Sequence, residues 1–441
     1  MASGIYVTAA EGFSGKSTVA LGLIDALAAS VSKVGVYRPV ARSGPEPDYV
    51  LELLLSHDAV DLDYADCVGV SYDDVHLDSE LALSEVVRKY RLLESRCDSI
   101  VVLGSDYTDV GNPTEFEFNA QVATNLGIPV VLVVTGRDPA EQAHRGLAAA
   151  PSRSTADIVR VAQSALAEIQ EAHAEPVAVI VNRAEPEEVS ILTRELRTAM
   201  PGLQVACLPE DRVLVAPTVS TVIDAVGGKL VQGDAEALGR EALGVMVAAM
   251  GLETVLQRLH EGYLILVPGD RFEILLGVLM AHHSENFPSL AGIVLYGGVD
   301  TPDVVSRLVS GLKSGLPIVS SGSGTYETVL QVTGARGRMA ADSQRKYDTA
   351  LAIFRQNVDT TSLLKAMDVA RSRVITPLIF EYDLFERARK DIKHIVLPEG
   401  HDDRIIRAAS TLLTRGVVRL TLLGDEQAIR SRASELGLSL E

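Results

Sequence analysis

A short stretch near the start of the chain has the residue types of a phosphate-binding site. Residues 10–17, here called the phosphate loop, read Ala10-Glu-Gly-Phe-Ser-Gly-Lys-Ser17. They follow the pattern G-x-x-x-x-G-K-[ST], except that alanine stands where the first glycine belongs. In this pattern Lys16 reaches the terminal phosphates and the Ser17 hydroxyl takes a ligand position on Mg²⁺. The predicted binding residues are Gly12, Gly15, Lys16, Ser17 and Thr18, with Ser17 as the metal ligand.

The surroundings of the phosphate loop favour an anion site. An apolar run ends at Thr8 and a helical pattern begins near Lys16, so backbone amides and the positive end of a helix converge on one point. The alternative is a tight glycine turn that starts an ordinary helix, with Lys16 in solvent. We expect the loop to bind an anion.

Phosphoryl transfer would also need an acidic residue near the end of a neighbouring strand, to position the metal. The candidate strand at 99–103 ends in Leu103-Gly104, and Asp106 and Asp109 follow only later. Asp48 could face the site, or it could cap the helix predicted at 49–55. The pattern therefore predicts binding rather than turnover.

The elements that position this loop belong to an α/β protein. Apolar, β-branched runs alternate with helical patterns, which is typical of a doubly wound, mostly parallel sheet. We predict such a domain over residues 1–209. Its predicted strands lie at 5–8, 33–37, 99–103, 129–134 and 176–181, and its clearest helices at 17–29, 78–94 and 154–172.

Two further blocks follow. Residues 210–357 form a smaller predicted α/β domain, with strands at 263–267, 292–296 and 317–320 that each run into a glycine-rich turn. At the first of these turns Arg271 could contact an anionic effector while Asp270 caps the next helix, or Arg271 could be an ordinary surface residue. Residues 358–441 offer two strands, too few for a complete parallel sheet, so we expect a linker and an incomplete α/β segment.

A basic cluster surrounds the end of the second block. It comprises the loop Gly334-Ala-Arg-Gly-Arg338 and the helix start at Arg345-Lys346. We expect a solvated loop and helix start, with an anion contact or a subunit interface as the alternatives.

Composition limits the function classes. The chain has 441 residues, with 40 Lys and Arg against 59 Asp and Glu, a net charge of −19 that disfavours nucleic acid and anionic membranes as partners. Three widely spaced cysteines predict a reduced compartment and small core side chains. The N-terminus has no leader pattern and no apolar run is long enough to span a bilayer, so a cytoplasmic protein is expected.

Several of these segments resemble known families. The phosphate loop, Gly35-Val-Tyr-Arg-Pro-Val40, the 99–104 strand and Val179-Ile-Val-Asn182 are similar to the P-loop fold of dethiobiotin synthetase, which also forms the N-terminal domain of long phosphate acetyltransferases. Pro268-Gly-Asp-Arg271 and Leu295-Tyr-Gly-Gly298 resemble the DRTGG domain of the same enzymes. Ile395-Val-Leu-Pro-Glu-Gly-His-Asp-Asp-Arg404 resembles the start of their acetyltransferase domain.

The resemblance implies the reaction of acetyl-CoA with phosphate to give acetyl phosphate and CoA, in acetate metabolism. No cofactor is then required, CoA and acetyl-CoA are substrates, and a nucleotide with Mg²⁺ could act as effector. It also implies a homo-oligomer. Because the family's catalytic Ser, Arg and Asp would lie beyond residue 441, no catalytic residue is assigned, and the chain alone is expected to be inactive.

Two departures bear on the first domain. Dethiobiotin synthetase has an acidic residue where this chain has Leu103, and a lysine where it has Arg38. The resemblance therefore favours a regulatory or assembly domain that keeps its phosphate loop. The alternative is an ATP-binding P-loop enzyme, or a nucleotide-dependent regulator, of the dethiobiotin synthetase type.

Overall fold

The computed structural model describes residues 3–44, 46–105, 115–139, 141, 150–233, 235–312, 315–341, 343–369, 376–414, 416–436, 438 and 440. The chain divides into two compact units: residues 1–124 and 128–372 form the first, and residues 125–127 and 373–441 form the second. The α/β class predicted from the sequence is confirmed: a seven-stranded parallel sheet is followed by a smaller α/β sheet and then by a short α/β segment.

The first sheet is parallel throughout, with the strand order β3-β2-β4-β1-β5-β6-β7. Every residue of β2, β4, β5 and β6 is buried, as expected of strands covered by helices on both faces. The strands are β1 Ser3–Ala9, β2 Val34–Ala41, β3 Val68–Ser71, β4 Ser99–Leu103, β5 Val130–Thr135, β6 Pro176–Ala184 and β7 Gln204–Pro209.

Helices connect these strands. They are α1 Lys16–Ala28, α2 Tyr49–Leu55, α3 Tyr64–Cys67, α4 Tyr72–Leu77, α5 Ser79–Glu94, α6 Glu115–Leu126, α7 Thr155–Glu171, α8 Val189–Ala199 and α9 Arg212–Val215. The chain leaves β1 towards β2 on one side, and later crosses from β4 to β5 on the other. The loop after β1 therefore lies at a topological switch point, where open α/β sheets place ligands.

The second sheet has five strands in the order β8-β12-β11-β10-β9, and only β8 pairs antiparallel with its neighbour. Two apolar clusters cover its two faces. Its elements are α10 Val219–Ala225, β8 Lys229–Gln232, a 3₁₀ turn Ala235–Gly239, β9 Gly244–Val247, α11 Leu252–Leu256, β10 Tyr263–Pro268, α12 Phe272–His283, β11 Gly292–Tyr296, α13 Asp303–Gly311, β12 Ile318–Ser320 and α14 Thr325–Gly334.

Two helices return from the second sheet to the first. They are α15 Gln344–Asn357 and α16 Thr360–Val369, and their buried residues Phe354 and Leu363 belong to the same core as α1 and β1. At the edge of this contact Arg355 pairs with Asp25, with N–O distances of 2.6 and 2.8 Å, and its hydrogen bonds lower the pKa of that carboxyl. A helix in the stretch predicted for the second domain thus packs on the first sheet.

This contact depends on a glycine in α1. A Cβ added at Gly22 would come 2.1 Å from Cγ of Phe354, so alanine there forces the ring aside. We expect Gly22→Ala to destabilise the protein by about 1–3 kcal/mol, because overpacking outweighs the better helix propensity of alanine. Gly311→Ala, at the end of α13 with open space around it, is the control. Equal thermal unfolding midpoints for the two variants would contradict the prediction.

The second unit is small. It holds α17 Pro377–Lys390, β13 Lys393–Leu397, α18 Asp403–Thr414, β14 Val418–Leu422 and α19 Glu426–Glu435. Its two strands pair in parallel, and β13 is largely exposed.

In the described part of the chain, no helix is long and apolar enough to cross a membrane.

Candidate functional site

The phosphate loop joins the end of β1 to the start of α1. Gly15 is the residue before the helix and has φ 68°, a left-handed conformation that favours glycine. A Cβ at Gly15 would lie 2.4 Å from Nδ2 of Asn182, so a larger residue is also excluded by contact. Phe13 is left-handed too, with φ 57°. The loop therefore has the strained backbone and the helix start that an anion site needs.

Asn182, at the end of β6, holds this loop in place. Its amide Nδ2 donates to the carbonyl oxygens of Ser14 and Gly15, at 2.9 and 3.1 Å, and the side chain is buried. The sequence singled out the Val179–Asn182 segment only as part of a resemblance. The role of the amide depends on a contact over about 170 positions, which no local pattern indicates.

The neighbouring residue, Arg183, also supports the loop. Arg183 donates to Phe13 O at 3.3 Å, and it pairs with Glu210 through two N–O contacts of 3.0 and 2.6 Å. Glu210 in turn accepts from Arg137 at 2.7 Å. In this buried network two arginines balance the negative charge of Glu210, and their contacts hold the ends of β6 and β7 next to the loop.

The predicted site residues do not all lie in one place. Gly15, Lys16, Ser17 and Thr18 line a single cavity, whereas Gly12 is not among its lining residues. Lys16 is buried, and its ammonium donates to the carbonyl oxygen of Ser105 just beyond β4.

Among the described residues, the end of β4 contacts a buried ion pair. The guanidinium of Arg38, 2% exposed, donates to the carbonyl oxygens of Leu103, at 3.3 Å, and Gly104, and pairs with Asp48 at 3.2 Å. Asp48 also caps α2, since its Oδ1 accepts from the amides of Val50 and Leu51. Of the two roles considered for Asp48, the structure shows the helix cap. Asp106 and Asp109 lie outside the described residues.

The described residues offer little to hold a metal ion. Ser17 is half-buried and lines the cavity, so its hydroxyl can serve as one ligand. Two carboxylates also line the cavity, but Glu210 is paired with arginines and Asp211 caps α9 through Val213 N at 2.7 Å. No cluster of three or more His, Cys, Asp or Glu at metal-binding distances exists among the described residues. The described residues therefore do not form a complete metal site.

The far wall of the cavity comes from the segment that follows the second sheet. Residues 335–339, here called the arginine loop, follow α14 and bring Arg336 to the ring of Phe13, with 4.8 Å from Cζ to the centroid. Arg338 and Arg42 both stack on Tyr49, at 5.3 and 5.1 Å. These distances are within the range of cation–π contacts.

The prediction of a solvated helix start after the arginine loop is wrong for Lys346. Its side chain is fully buried, and Nζ donates to Ala216 O at 2.6 Å and Arg338 O at 3.0 Å. The same helix start is capped by Ser343, whose hydroxyl contacts the buried Glu241. Lys346 therefore ties the arginine loop to the segment that enters the second domain.

The cavity itself has the size of a small-molecule site. Its volume is ≈ 430 Å³, which lies within the range of ligand pockets. Five basic and two acidic side chains are among its described lining residues. Both acidic side chains already accept hydrogen bonds from the protein. The cavity therefore favours an anion, although the chain as a whole has a net charge of −19.

The turn at Arg271 is a weaker candidate. Arg271 pairs with Glu273 and reaches the carbonyl oxygens of Ala249 and Met250, at 3.5 and 3.4 Å. The helix α12 begins after Arg271 without a side-chain cap, so the cap predicted for Asp270 is wrong. The guanidinium is occupied by Glu273 and by the segment after β9, which supports the interpretation of an ordinary surface arginine.

The three cysteines are free. Burial raises the pKa of the Cys67 thiol to about 12 and that of Cys207 to about 11, while Cys97 is half-buried. Thiolates react and thiols do not, so at pH 8 we expect iodoacetamide to modify Cys97 before the other two. Peptide mass spectrometry after brief labelling measures this order. Modification of Cys67 or Cys207 at the rate of Cys97 would contradict it.

Models of known families match three successive parts of the chain. An AAA domain model matches residues 3–218, a DRTGG domain model residues 221–335, and a phosphate acetyl/butaryl transferase model residues 379–441. Among curated proteins, the phosphate acetyltransferase of Nitratidesulfovibrio vulgaris is 32% identical over all of this chain, and that of Synechocystis sp. is 31% identical over 97% of it. The chain spans 62% and 61% of the lengths of these two relatives.

Solved structures add only distant similarity. The CBS and DRTGG domains of a Clostridium perfringens pyrophosphatase, complexed with diadenosine tetraphosphate, match 30% of this chain and 54% of that one, with 16% identity and a TM-score of 0.24. The septum site-determining protein MinD of Pyrococcus horikoshii matches 48% of this chain and 84% of that one, with 17% identity and a TM-score of 0.30. These scores are too low to support an argument about function.

Proposed function

We propose that this chain serves phosphate acetyl transfer and that residues 3–369 are its ligand-responsive part. The order of the three family matches, together with the two relatives that align along nearly all of the chain, supports the reaction. In it a phosphate oxygen attacks the thioester carbonyl of acetyl-CoA and the C–S bond breaks. The products are acetyl phosphate and CoA, whose thiolate takes up the proton that phosphate loses. CoA and acetyl-CoA are substrates and no cofactor is proposed.

The ligand-responsive role rests on one observation in particular. The phosphate loop lines a basic cavity, and the two carboxylates among the described lining residues, Glu210 and Asp211, both already accept hydrogen bonds from the protein, whereas phosphoryl transfer needs an acidic residue to position a metal ion. Such an arrangement suits binding of a phosphate-bearing ligand without turnover. We propose Gly15, Lys16, Ser17 and Thr18 as its contacts, with Ser17 as the ligand to any Mg²⁺ that arrives with the phosphates.

The same observation argues against the alternative of an ATP-using enzyme of the dethiobiotin synthetase type. With Glu210 and Asp211 already engaged by the protein, the described lining residues offer no spare carboxylate to position a metal ion for phosphoryl transfer. The domain limits 1–209, 210–357 and 358–441, a homo-oligomeric state and a cytoplasmic location are part of the proposal.

An acetyl transfer assay tests the proposal on the protein as its host makes it. Acetyl-CoA formation from acetyl phosphate and CoA is followed with and without ATP. We expect measurable transfer whose rate changes with ATP, and we expect Lys33→Met, at an exposed lysine, to keep the ATP response. Absence of transfer would refute the acetyltransferase assignment. Transfer that ATP leaves unchanged would refute the ATP-responsive role of residues 3–369.

A further inference from the structure

The backbone of the arginine loop packs against the segment that leads from the first sheet to the second. A Cβ at Gly337 would lie 2.2 Å from Ala216 O and 2.4 Å from Val215 O, so only glycine allows this approach. From the other side, the buried ammonium of Lys346 donates to Ala216 O and Arg338 O. These contacts hold the loop at the cavity before any ligand arrives, and a loop that needs no reordering loses less free energy on binding.

The two arginines of this loop are also oriented by aromatic rings of the first domain. Arg336 lies over Phe13, a residue of the phosphate loop itself, and Arg338 lies over Tyr49. A stacked guanidinium still presents N–H groups at its edge, and these match the oxygens of phosphate. Arg336 and Arg338 line the same cavity as Lys16 and Ser17.

The cavity therefore has two basic walls on two different domains. The first contains Lys16 and the helix start, and the second contains Arg336 and Arg338. A single phosphate group would need only the first wall. A chain of phosphates carries charge along its length and can contact both walls at once.

We propose that the ligand of this cavity is a nucleoside polyphosphate whose phosphate chain lies between the phosphate loop and the arginine loop. This inference rests on the proposed function of the cavity and adds the second half of the site. Because one ligand then contacts both domains, its binding stabilises their mutual arrangement. Ligand occupancy would be reported to the second domain through the arginine loop and α14, which ends at Gly334.

Calorimetric titration of the 441-residue chain with ATP and with tripolyphosphate tests the proposal. We expect both probes to bind, and Arg336→Gln and Arg338→Gln each to raise the Kd for both by roughly ten- to 100-fold, because each removes charged hydrogen bonds. Arg160→Gln, a highly exposed arginine of α7, is the matched control and should leave Kd unchanged.

The variants separate the inference from the proposal on which it rests. If the parent binds ATP and loss of Lys16 weakens binding, but both arginine variants bind like the parent, the arginine loop has no part in the site and the inference is wrong. If the parent binds ATP but not tripolyphosphate, the phosphate chain does not bridge the walls, and the inference is wrong as well. If the parent binds neither probe, the proposed ligand-binding function itself fails.

Gly337→Ala tests the loop as a positioning element. The added methyl group should displace the loop and raise the Kd for ATP about as much as loss of either arginine. In a chain that already carries Arg336→Gln and Arg338→Gln, the same substitution should raise the Kd no further, because the groups it positions are gone. A full additional loss in that background would mean that Gly337 acts on the site by general destabilisation, and would overturn its positioning role.

Discussion

Replacing Lys16 with methionine is expected to raise the Kd for ATP by roughly 30- to 100-fold. Methionine keeps an apolar stem of similar length in the buried position but removes the ammonium, so a charged hydrogen bond to phosphate worth about 2–3 kcal/mol is lost. Titration calorimetry measures the affinity, and circular dichroism confirms that the variant is folded.

The control for this variant is Lys33→Met. Lys33 is exposed, and its backbone amide and carbonyl form hydrogen bonds with Asp98 and Ser99. Its loss should leave the Kd for ATP unchanged. If Lys16→Met binds ATP as tightly as Lys33→Met does, Lys16 is no phosphate ligand, and its contact with Ser105 is structural only.

Replacing Arg38 with methionine is expected to destabilise the first domain by about 3–5 kcal/mol. Arg38 and Asp48 are each 2% exposed, and the substitution leaves the Asp48 carboxylate buried without its 3.2 Å partner. The carbonyl oxygens of Leu103 and Gly104 lose a donor as well. Urea unfolding followed by circular dichroism measures the change.

Two comparisons sharpen this prediction. Arg88→Met breaks an exposed pair with Glu85 and should cost less than about 1 kcal/mol. Adding Asp48→Asn to Arg38→Met removes the buried charge while keeping a residue that caps helices well, so the double variant should be more stable than Arg38→Met alone. If the Arg38 and Arg88 variants unfold at the same urea concentration, the buried pair has no special role.

The sequence predicted the parts of the fold whose pattern is local. The strands β1, β4 and β6 are buried on both faces, so their apolar runs stand out without knowledge of their neighbours. Four edge strands were missed: β3 and β7 of the first sheet, and β8 and β9 of the second. Their residues become strands only because a neighbouring strand is present.

The same distinction applies to the site: its local part could be predicted from the sequence, and the part that depends on long-range contacts could not. The phosphate loop follows from residue types and spacing, and four of its five predicted residues do line one cavity. For the other wall an anion contact was only an alternative to a solvated loop, because this wall depends on contacts over 100 positions or more, such as Lys346 with Ala216. A sequence pattern can mark Arg336 and Arg338 as basic, but only the fold brings them to Phe13 and Tyr49.

The most direct test of this account is a titration of the unmodified chain with ATP and Mg²⁺ in which phosphate release is followed in the same samples. We predict saturable binding at one site per chain, with no release of phosphate over many hours, because the phosphate loop is present and the described carboxylates of the cavity, Glu210 and Asp211, are already engaged by the protein. No detectable binding would contradict the ligand site. Repeated turnover of ATP would contradict the proposal that the site binds its ligand without phosphoryl transfer. It would instead support an ATP-using enzyme.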